Sequence, residues 1–380
     1  MNLKTMIGNP GIPEWILLAM FFTTFLIQCW YYLGIYIQLP LYKPLKKQNK
    51  RRGISVVICA KNEAHNLEKF LPLILTQDYP EYEVIVVNDC SADHTEEVLL
   101  QYSTLYKHLR YTTIPANEKF LHGKKLALTV GLKSAGFDLV LLTDADCYPA
   151  GDQWIRNMSS HLSKEKEFVL GYGRYEQKKG LLNALIRYET VFTALQYFSF
   201  ALKGRPYMGV GRNLGYRKSL FFKSGGFSNH YHIASGDDDL FVNEHANRKN
   251  TAIEIDPESH TISIPKTSLG SWIRQKQRHV SAGNLYDPGS RFRLGTDMIS
   301  RLLFYITFGM LCFMTVRIWP VVILFGIFQI IRTTIFKLGM ARLNEKYLLL
   351  PSFLFDPVLP LVLGIIWFRN IFVTKYQPWS

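Results

Sequence analysis

The sequence predicts an α/β domain with a mostly parallel sheet, flanked by transmembrane helices. Two β-branched runs of strand length, ISVVICA (54–60) and EVIVVN (83–88), alternate with segments that have the helical spacing of apolar residues. Such alternation is typical of parallel sheets, which bind ligands at the carboxyl ends of their strands. Long stretches with few or no charges lie near both ends of the 380-residue chain. We therefore expect a membrane helix within 1–42, a central domain over 43–298 and further membrane helices over 299–380.

The first apolar stretch predicts both a membrane span and its orientation. Trp15 to Ile37 contains 23 residues without a charge, which is long enough to cross a bilayer core. The stretch is too long for a signal-peptide core, and no small-residue cleavage site follows it. KPLKKQNKRR (43–52) then supplies six basic residues and no acid. Because basic residues mark cytoplasmic ends of spans, we expect the amino terminus outside and the central domain in the cytoplasm.

The carboxyl-terminal part adds three apolar stretches. Leu302–Val316 and Ile318–Ile331 are short for full spans, so we favour a tilted helical hairpin around Arg317–Pro320, with one longer, kinked segment as the alternative. Tyr347–Phe368 is the third stretch and would cross outward. The sequence thus predicts a multi-pass protein of the cell membrane with four spans. The basic residues after the hairpin would lie inside: Lys337, Arg342 and Lys346.

Charge and cysteine content limit the class of protein. The formal net charge of +14 is compatible with nucleic acid, an anionic membrane surface or an anionic substrate. The basic residues cluster at membrane ends and not on one helix face, so we expect no nucleic-acid partner. Five scattered cysteines without a CxxC spacing argue against a disulfide framework and a zinc site.

The central domain leads to a pair of acids. Helical spacing over Ala64–Leu75 and 123–135 predicts two helices, and the second leads into the apolar strand Leu139–Leu142. This strand runs into Asp144-Ala-Asp146. Alternate residues of an extended chain point the same way, about 6–7 Å apart along the backbone. Two such carboxylates repel each other unless a cation lies between them.

Further side chains that can bind a nucleotide follow the strands. No GxGxxG follows the first strand, and HGKK (122–125) lacks the upstream glycine of a Walker A loop, so dinucleotide and P-loop sites are not indicated. Acids can accept hydrogen bonds from ribose or a base and can hold a divalent cation, which with Lys124 would bind phosphates. Loop caps and an Asx turn explain each acid singly, but not their joint position on one sheet edge. The acids are Glu63, Asp89, Asp144 and Asp146.

These ordered motifs resemble a known family. SVVICAKNEAHNLEKFLPLILTQDYPEYEVIVVNDCSADHT, followed by GKKLAL and LLTDAD, is similar to the family 2 glycosyltransferases with their GT-A nucleotide-sugar domain, over roughly 53–283. The resemblance implies that Asp89 contacts uracil or ribose and that Glu63 and Lys124 line the nucleotide pocket. It also implies that Asp144 and Asp146 form a DxD motif, which binds Mg²⁺ or Mn²⁺ on the diphosphate.

A second acidic cluster, SGDDDLF (235–241), begins a helix expected over 238–248. Family members often carry Glu-Asp-x-Asp/Glu-Leu here, with the second residue as general base. Aligned in this way, Gly236 replaces the Glu and Asp237 is the base, with Asp238 as the alternative. A positioned carboxylate speeds the attack of a hydroxyl by removing its proton. The structural alternative is that Asp237 caps the helix.

The segment SWIRQKQRHVSAG (271–283) resembles the QxxRW pattern of the family, with His for Trp. Gln275, Arg278 and His279 would share one helix face and line the donor pocket, with the Arg278 guanidinium on the diphosphate. The alternative is an amphipathic helix at the membrane, with Trp272 at headgroup depth. Residues 179–205 likewise predict an interface helix whose aromatic face lies against lipid.

The sequence therefore predicts an inverting, metal-dependent glycosyltransferase. Its expected partners are a nucleotide sugar, most simply a UDP-sugar, a lipid or glycan acceptor, and membrane lipids. A processive polysaccharide synthase is the first alternative, although few spans remain for a polymer channel. An inactive nucleotide-binding membrane scaffold is the second, favoured by the missing Glu and Trp and opposed by the DxD motif and Asp237.

Overall fold

Ten strands form two sheets in the central domain. The computed structural model describes residues 11–44, 52–115, 123–231, 233, 235–314 and 318–372. The strands are β1 Ile54–Ala60, β2 Tyr82–Asp89, β3 Leu109–Ile114, β4 Leu139–Asp144, β5 Cys147–Pro149, β6 Phe168–Leu170, β7 Gly173–Tyr175, β8 Leu214–Arg217, β9 Thr251–Ile253 and β10 Thr261–Ser263. A seven-stranded sheet has the order β3-β2-β1-β4-β8-β6-β9, and a three-stranded sheet has the order β5-β10-β7.

The pairing of the large sheet confirms the predicted α/β class. Strands β1 to β4 are parallel, whereas β8 runs antiparallel to β4 and β6. All seven residues of β1 are buried, which explains why its apolar run shows no alternation. Cys59 pairs with Asp144 in β4, and Ala60 pairs with Asn88 in β2. The carboxyl ends of these strands therefore lie on one edge of the sheet.

The helices cover the sheet and extend from it. They are α1 Ile12–Trp30, α2 Gln38–Leu41, α3 Ala64–Leu75, α4 Thr95–Leu105, α5 Lys124–Ser134, α6 Trp154–Ser159, α7 Leu181–Leu202, α8 Lys218–Lys223, α9 Asp239–His245, α10 Leu269–Gly283, α11 Pro288–Met314, α12 Ile318–Arg342 and α13 Leu349–Phe372. A π-helical turn, Tyr31–Tyr36, continues α1. The helix predicted over Ala64–Leu75 is confirmed at both ends.

Within the described residues, four helical segments are long and apolar enough to cross a membrane: Ile12–Leu41, Pro288–Met314, Ile318–Arg342 and Leu349–Asn370. The sequence predicted that the second and third segments are too short to cross a bilayer, and this is wrong. Their helices are longer than their apolar stretches, because each continues into polar turns at the end near the central domain. Helices α11 and α12 form the predicted hairpin, with the rings of Phe308 and Phe325 stacked 3.7 Å apart. The turn at Arg317 and most of the basic run 43–52 lie outside the described residues.

Two expectations about helices at the lipid surface are wrong. Helix α7 is enclosed by protein, and its aromatic side chains Tyr188, Phe192 and Phe198 are buried. Phe192 and Tyr188 pack against rings of the first, third and fourth membrane-length segments, so the aromatic face is not presented to lipid. Trp272 of α10 is also buried, so its indole is not available for contact with lipid headgroups.

A buried group of polar residues joins the membrane-length helices to α7. We call it the polar belt, and every side chain in it is at most 3% exposed. The Tyr188 hydroxyl donates to Asp356 (2.8 Å), and Arg301 pairs with Asp297 and Asp356. Such pairing is what permits charges at this depth. The belt consists of Gln28, Tyr188, Asp297, Arg301, Arg332 and Asp356.

Candidate active site

A cavity of about 370 Å³ lies at the carboxyl ends of β1 and β4. Strand β2 ends on the same edge with Asp89, which is fully buried and is not among the cavity-lining residues in the described part of the chain. All the other residues predicted for the site line this cavity. They are Glu63, Lys124, Asp144, Asp146, Asp237, Gln275, Arg278 and His279.

Lys124 lies between two of the predicted acids. It is the first residue of α5, and its Nζ is 2.8 Å from Asp144 Oδ1 and 3.1 Å from Asp237 Oδ2. Burial alone would lower the pKa of Lys124, but the two carboxylates raise it well above its usual value. Burial likewise opposes ionisation of Asp144, but the Lys124 ammonium outweighs it and lowers the pKa of this carboxyl. The lysine is therefore charged, and it links the end of β4 to the second acidic cluster.

Asp144 and Asp146 form the oxygen-rich part of a candidate metal centre. One ligand atom from each lies with Cys147 Sγ in a group no more than 4.8 Å across. Burial and the nearby Asp144 raise the pKa of Asp146. Burial also raises the pKa of Cys147 far above its usual range, so this residue remains a thiol. Hard cations prefer oxygen ligands, so the donor set fits Mg²⁺ or Mn²⁺ on the two carboxylates.

Glu63 lies at the turn after β1 and has an unusual environment. Its carboxylate accepts a hydrogen bond from Asn66 (2.6 Å), and its backbone N–H donates to the Thr95 hydroxyl (3.0 Å). Burial, with a smaller effect of Asp146, raises the pKa of Glu63 to about 7. The side chain is therefore partly protonated near neutral pH and can donate as well as accept a hydrogen bond.

The three consecutive aspartates of the second cluster have different surroundings. Asp238 is the N-cap of α9 and accepts hydrogen bonds from the backbone N–H groups of Gly211 and Asp239. Asp239 accepts from the Leu240 N–H (2.8 Å) and from the Tyr286 hydroxyl (2.7 Å). Asp237 contacts the Lys124 ammonium and lines the cavity. The helix cap is thus Asp238, not Asp237 as the structural alternative had it.

The geometry also explains the glycine before this cluster. Gly236 has a φ of +87°, a left-handed conformation that disfavours any side chain. A Cβ atom there would lie 2.3 Å from Leu240 Cδ1. A glutamate at this position would therefore require a different backbone, which accounts for the departure from the family pattern.

Helix α10 brings the third predicted group to the cavity. Ser268 caps the helix by accepting from the Ser271 N–H (3.2 Å). The Gln275 side chain donates to the Tyr175 hydroxyl (3.2 Å). Arg278 and His279 line the cavity with it. Burial, followed by the charge of Lys276, lowers the pKa of His279 well below its usual value, so its imidazole is neutral.

Several cavity residues were not predicted from the sequence. Arg212 stacks on the Tyr175 ring (4.5 Å) and donates to the Gly173 carbonyl (2.7 Å), which fixes its guanidinium near the acids. In the sequence, the only feature that could have pointed to Arg212 is its position in the glycine-rich stretch before the second acidic cluster. Lys276 and Glu189 form a nearly buried ion pair (2.6 Å) between α10 and α7. Lys266 and Tyr286 also line the cavity and were not predicted.

Apolar side chains also line the cavity. Ala194 of α7 and Val280 of α10 contribute to it, as do Met208 and Val210 of the segment before β8. Leu363 also lines the cavity and belongs to α13, one of the membrane-length helices. The cavity lining therefore contains apolar side chains as well as charged ones, and one of the apolar side chains belongs to a membrane-length helix.

Comparisons with known proteins agree with this geometry. The family model described as glycosyl transferase family 2 matches residues 55–224. Glycosyltransferase AglE of Haloferax volcanii is 32% identical over 187 residues, which cover 48% of this chain and 58% of that protein. The poly-β-1,6-N-acetyl-D-glucosamine synthase of Staphylococcus epidermidis is 27% identical over 164 residues, 37% of this chain and 39% of the synthase. The chain thus spans about two fifths to three fifths of these relatives.

A solved structure shares the fold over nearly the whole chain. The mannosyltransferase PcManGT from Pyrobaculum calidifontis, in complex with GDP-Man and Mn²⁺, superposes with a TM-score of 0.65. The match covers 94% of this chain and 100% of that one. Sequence identity is 18%, so the similarity is one of fold.

Proposed function

Residues 55–224 belong to glycosyl transferase family 2 and the central domain has the GT-A fold, and from this we propose an inverting, metal-dependent glycosyltransferase. The donor is a nucleotide sugar, with a UDP-sugar as the first to test, and the acceptor is lipid-linked or membrane-associated. The observation that carries the proposal is the contact of Lys124 with both Asp144 and Asp237 in one cavity. This contact joins the candidate metal centre to the candidate base.

The donor would bind at the charged residues of the cavity. Asp144 and Asp146 would hold Mg²⁺ or Mn²⁺, which neutralises the diphosphate and its developing charge as the nucleotide leaves. Arg278 and Lys124 can add hydrogen bonds to phosphate oxygens, and the planar Arg278 guanidinium suits a bidentate contact. Glu63 would bind the nucleotide from the end of β1. Asp89 stays a predicted contact to uracil or ribose, and Gln275 and His279 stay predicted donor contacts.

Asp237 is the best-supported base. The acceptor hydroxyl attacks the anomeric carbon, its proton passes to the Asp237 carboxylate, and the bond to the nucleoside diphosphate breaks. One displacement of this kind inverts the anomeric centre. Asp238 and Asp239 accept hydrogen bonds from backbone N–H groups and from Tyr286, whereas Asp237 pairs with the Lys124 ammonium beside the candidate metal centre, which supports Asp237 as the carboxylate that faces an acceptor.

The apolar residues of the cavity lining support a lipid-linked acceptor. Leu363 comes from a membrane-length helix, so a chain of methylene groups could approach along it while the polar head reaches Asp237. The rival acceptor is a growing polysaccharide, favoured by the similarity to the Staphylococcus epidermidis synthase. The length of the product separates the two, because a single transfer adds one sugar and a processive enzyme adds many.

The test is nucleotide release by the purified full-length protein in native lipid. UDP-, GDP- and dTDP-sugars are supplied one at a time, with Mg²⁺, with Mn²⁺ or with a chelator. We expect one donor class to give metal-dependent release that Asp237→Asn lowers strongly. Binding of nucleotide sugars without release or transfer under any condition would instead identify an inactive scaffold.

A further inference from the structure

Both ends of α13 are attached to the catalytic domain. Just before the helix, Glu345 pairs with Arg187 of α7 and accepts a hydrogen bond from the Tyr172 hydroxyl (3.1 Å). Near the other end, the Trp367 indole donates to Asn284 Oδ1 (2.9 Å) and the Asn370 amide donates to the Gln277 carbonyl (2.9 Å). Gln277 belongs to α10, the helix that lines the catalytic cavity. A helix of 24 residues is about 36 Å long, so α13 runs along the domain.

The polar belt fixes the direction of this run. Asp356 contacts Arg301 of α11 and Arg332 of α12 (3.6 and 3.9 Å). Beyond Arg301, α11 continues away from the domain to Met314. From Asp356 to Trp367 a helix advances roughly 16 Å. In a span alongside α11, Trp367 would therefore lie near Met314.

Trp367 lies instead beside Asn284, which precedes the first residue of α11, Pro288. Helix α13 therefore turns back from the belt toward the catalytic domain. Helices α11 and α12 do not turn back at the belt. Beyond it, Phe308 of α11 still stacks on Phe325 of α12. The deep part of the bundle thus contains α11 and α12, which pack with α1 through Phe21 and Phe304 (5.1 Å).

We propose that α13 does not cross the bilayer but lies at the membrane face on the side of the catalytic domain. Its outer face is an apolar stripe with the spacing of one helix side, which suits contact with acyl chains at the interface. The chain then has three spans, and its carboxyl terminus lies on the side of the catalytic domain, contrary to the expectation that the last segment crosses outward. The stripe consists of Leu350, Leu354, Leu361, Ile365 and Phe368, each about half exposed or more.

This placement gives α13 a second role, which rests on the proposed function. Leu363 faces the catalytic cavity, whereas the stripe faces lipid. The helix would then lie between the cavity and the bilayer.

The first test compares the sides of two tags and needs no enzymatic activity. A protease-cleavable epitope is inserted at exposed Lys164 of the central domain or placed after Ser380, and sealed vesicles of known orientation are treated with protease. We expect both tags to be cut from the same side, and a tag placed before Met1 from the other. Cleavage of the Lys164 and Ser380 tags from opposite sides would show that α13 spans the membrane. Comparing the tags makes this result independent of the absolute orientation.

The second test measures the contact in the membrane. In a full-length chain without its native cysteines, Trp367→Cys and Asn284→Cys are joined with a short bifunctional thiol reagent. We expect efficient crosslinking of this pair and little for the matched pair Leu350→Cys and Asn284→Cys. Equal yields for the two pairs, or none for the first, would overturn the proposal. A negative result in either test would not argue against the proposed glycosyltransferase activity. Conversely, both tests can be carried out and interpreted even if the protein shows no activity.

Discussion

The ammonium group of Lys124 lies 3.1 Å from the carboxylate of Asp237. The same nitrogen is 2.8 Å from Asp144, so one cation balances an acid at the end of β4 and an acid just before α9. Without the lysine, the carboxylates of Asp144 and of buried Asp237 would lie near each other without a cation between them, which is costly. The contact also places a positive charge where a donor phosphate and an acceptor hydroxyl would meet.

The first prediction concerns this lysine. Lys124→Met should weaken binding of the nucleotide sugar at least tenfold, because a phosphate contact is lost and the uncompensated carboxylates repel the diphosphate. Titration calorimetry with UDP and Mn²⁺ measures the change. Lys124→Arg is the matched control and should retain part of the affinity. Unchanged affinity in the methionine variant would exclude Lys124 from the donor site.

The second prediction concerns the base. Asp237→Asn should lower turnover by ~10²-fold or more while donor affinity changes little, since a base acts on the acceptor in the transition state. Single-turnover transfer and calorimetry measure the two quantities separately.

Its neighbours are internal controls for this assignment. Asp238→Ala should mainly lower thermal stability, since it removes the α9 cap, which is typically worth about 0.5–2 kcal/mol. Asp239→Asn should likewise affect mainly thermal stability, because it changes the carboxylate that accepts the hydrogen bond from Tyr286. If Asp238→Asn abolishes turnover and Asp237→Asn does not, the base is Asp238.

The third prediction concerns the metal. Asp146→Asn should keep the fold and membrane insertion but abolish the dependence of nucleotide binding on Mn²⁺, because a neutral amide is a poor ligand for a hard divalent cation. Calorimetry with UDP, with and without Mn²⁺, tests this. A variant that still binds UDP more tightly when the metal is added would refute the metal assignment. Cys147→Ala is the matched control, because the proposed metal site does not use the thiol and alanine adds no ligand atom.

Local sequence patterns were sufficient for three parallel strands of the large sheet, β1, β2 and β4, and for much of the cavity. The buried run 54–60 and the helix 64–75 follow from burial and periodicity, and parallel strands must end on one edge. From that rule we predicted that Glu63 and Asp144, which are distant in the sequence, lie on the same edge of the sheet. The spacing of Gln275, Arg278 and His279 likewise predicted one helix face, and all three line one cavity.

The errors arose where tertiary contacts decide the outcome. Apolar content alone did not distinguish a helix buried in protein, such as α7, from one at a lipid surface. The direction that we propose for Tyr347–Phe368 likewise depends on tertiary contacts, the hydrogen bonds of Trp367 to Asn284 and of Asn370 to Gln277. Arg212 was missed because its position depends on stacking on Tyr175, a contact that no sequence spacing shows.

The last prediction concerns stability in acid. His260 precedes β10, which pairs with β5, the strand directly after Asp144 and Asp146, and its ring is fully buried against Tyr172 (5.0 Å). Burial lowers the pKa of His260 from 6.5 to about 4, so the unfolded chain binds more protons than the folded chain between these values. The free energy of unfolding should therefore fall as pH drops from about 6.5 to about 4. His260→Phe should flatten this part of a plot of melting temperature against pH, whereas His65→Gln, at an exposed position, should not. A slope in His260→Phe as steep as in the parent would mean that other groups cause the acid sensitivity.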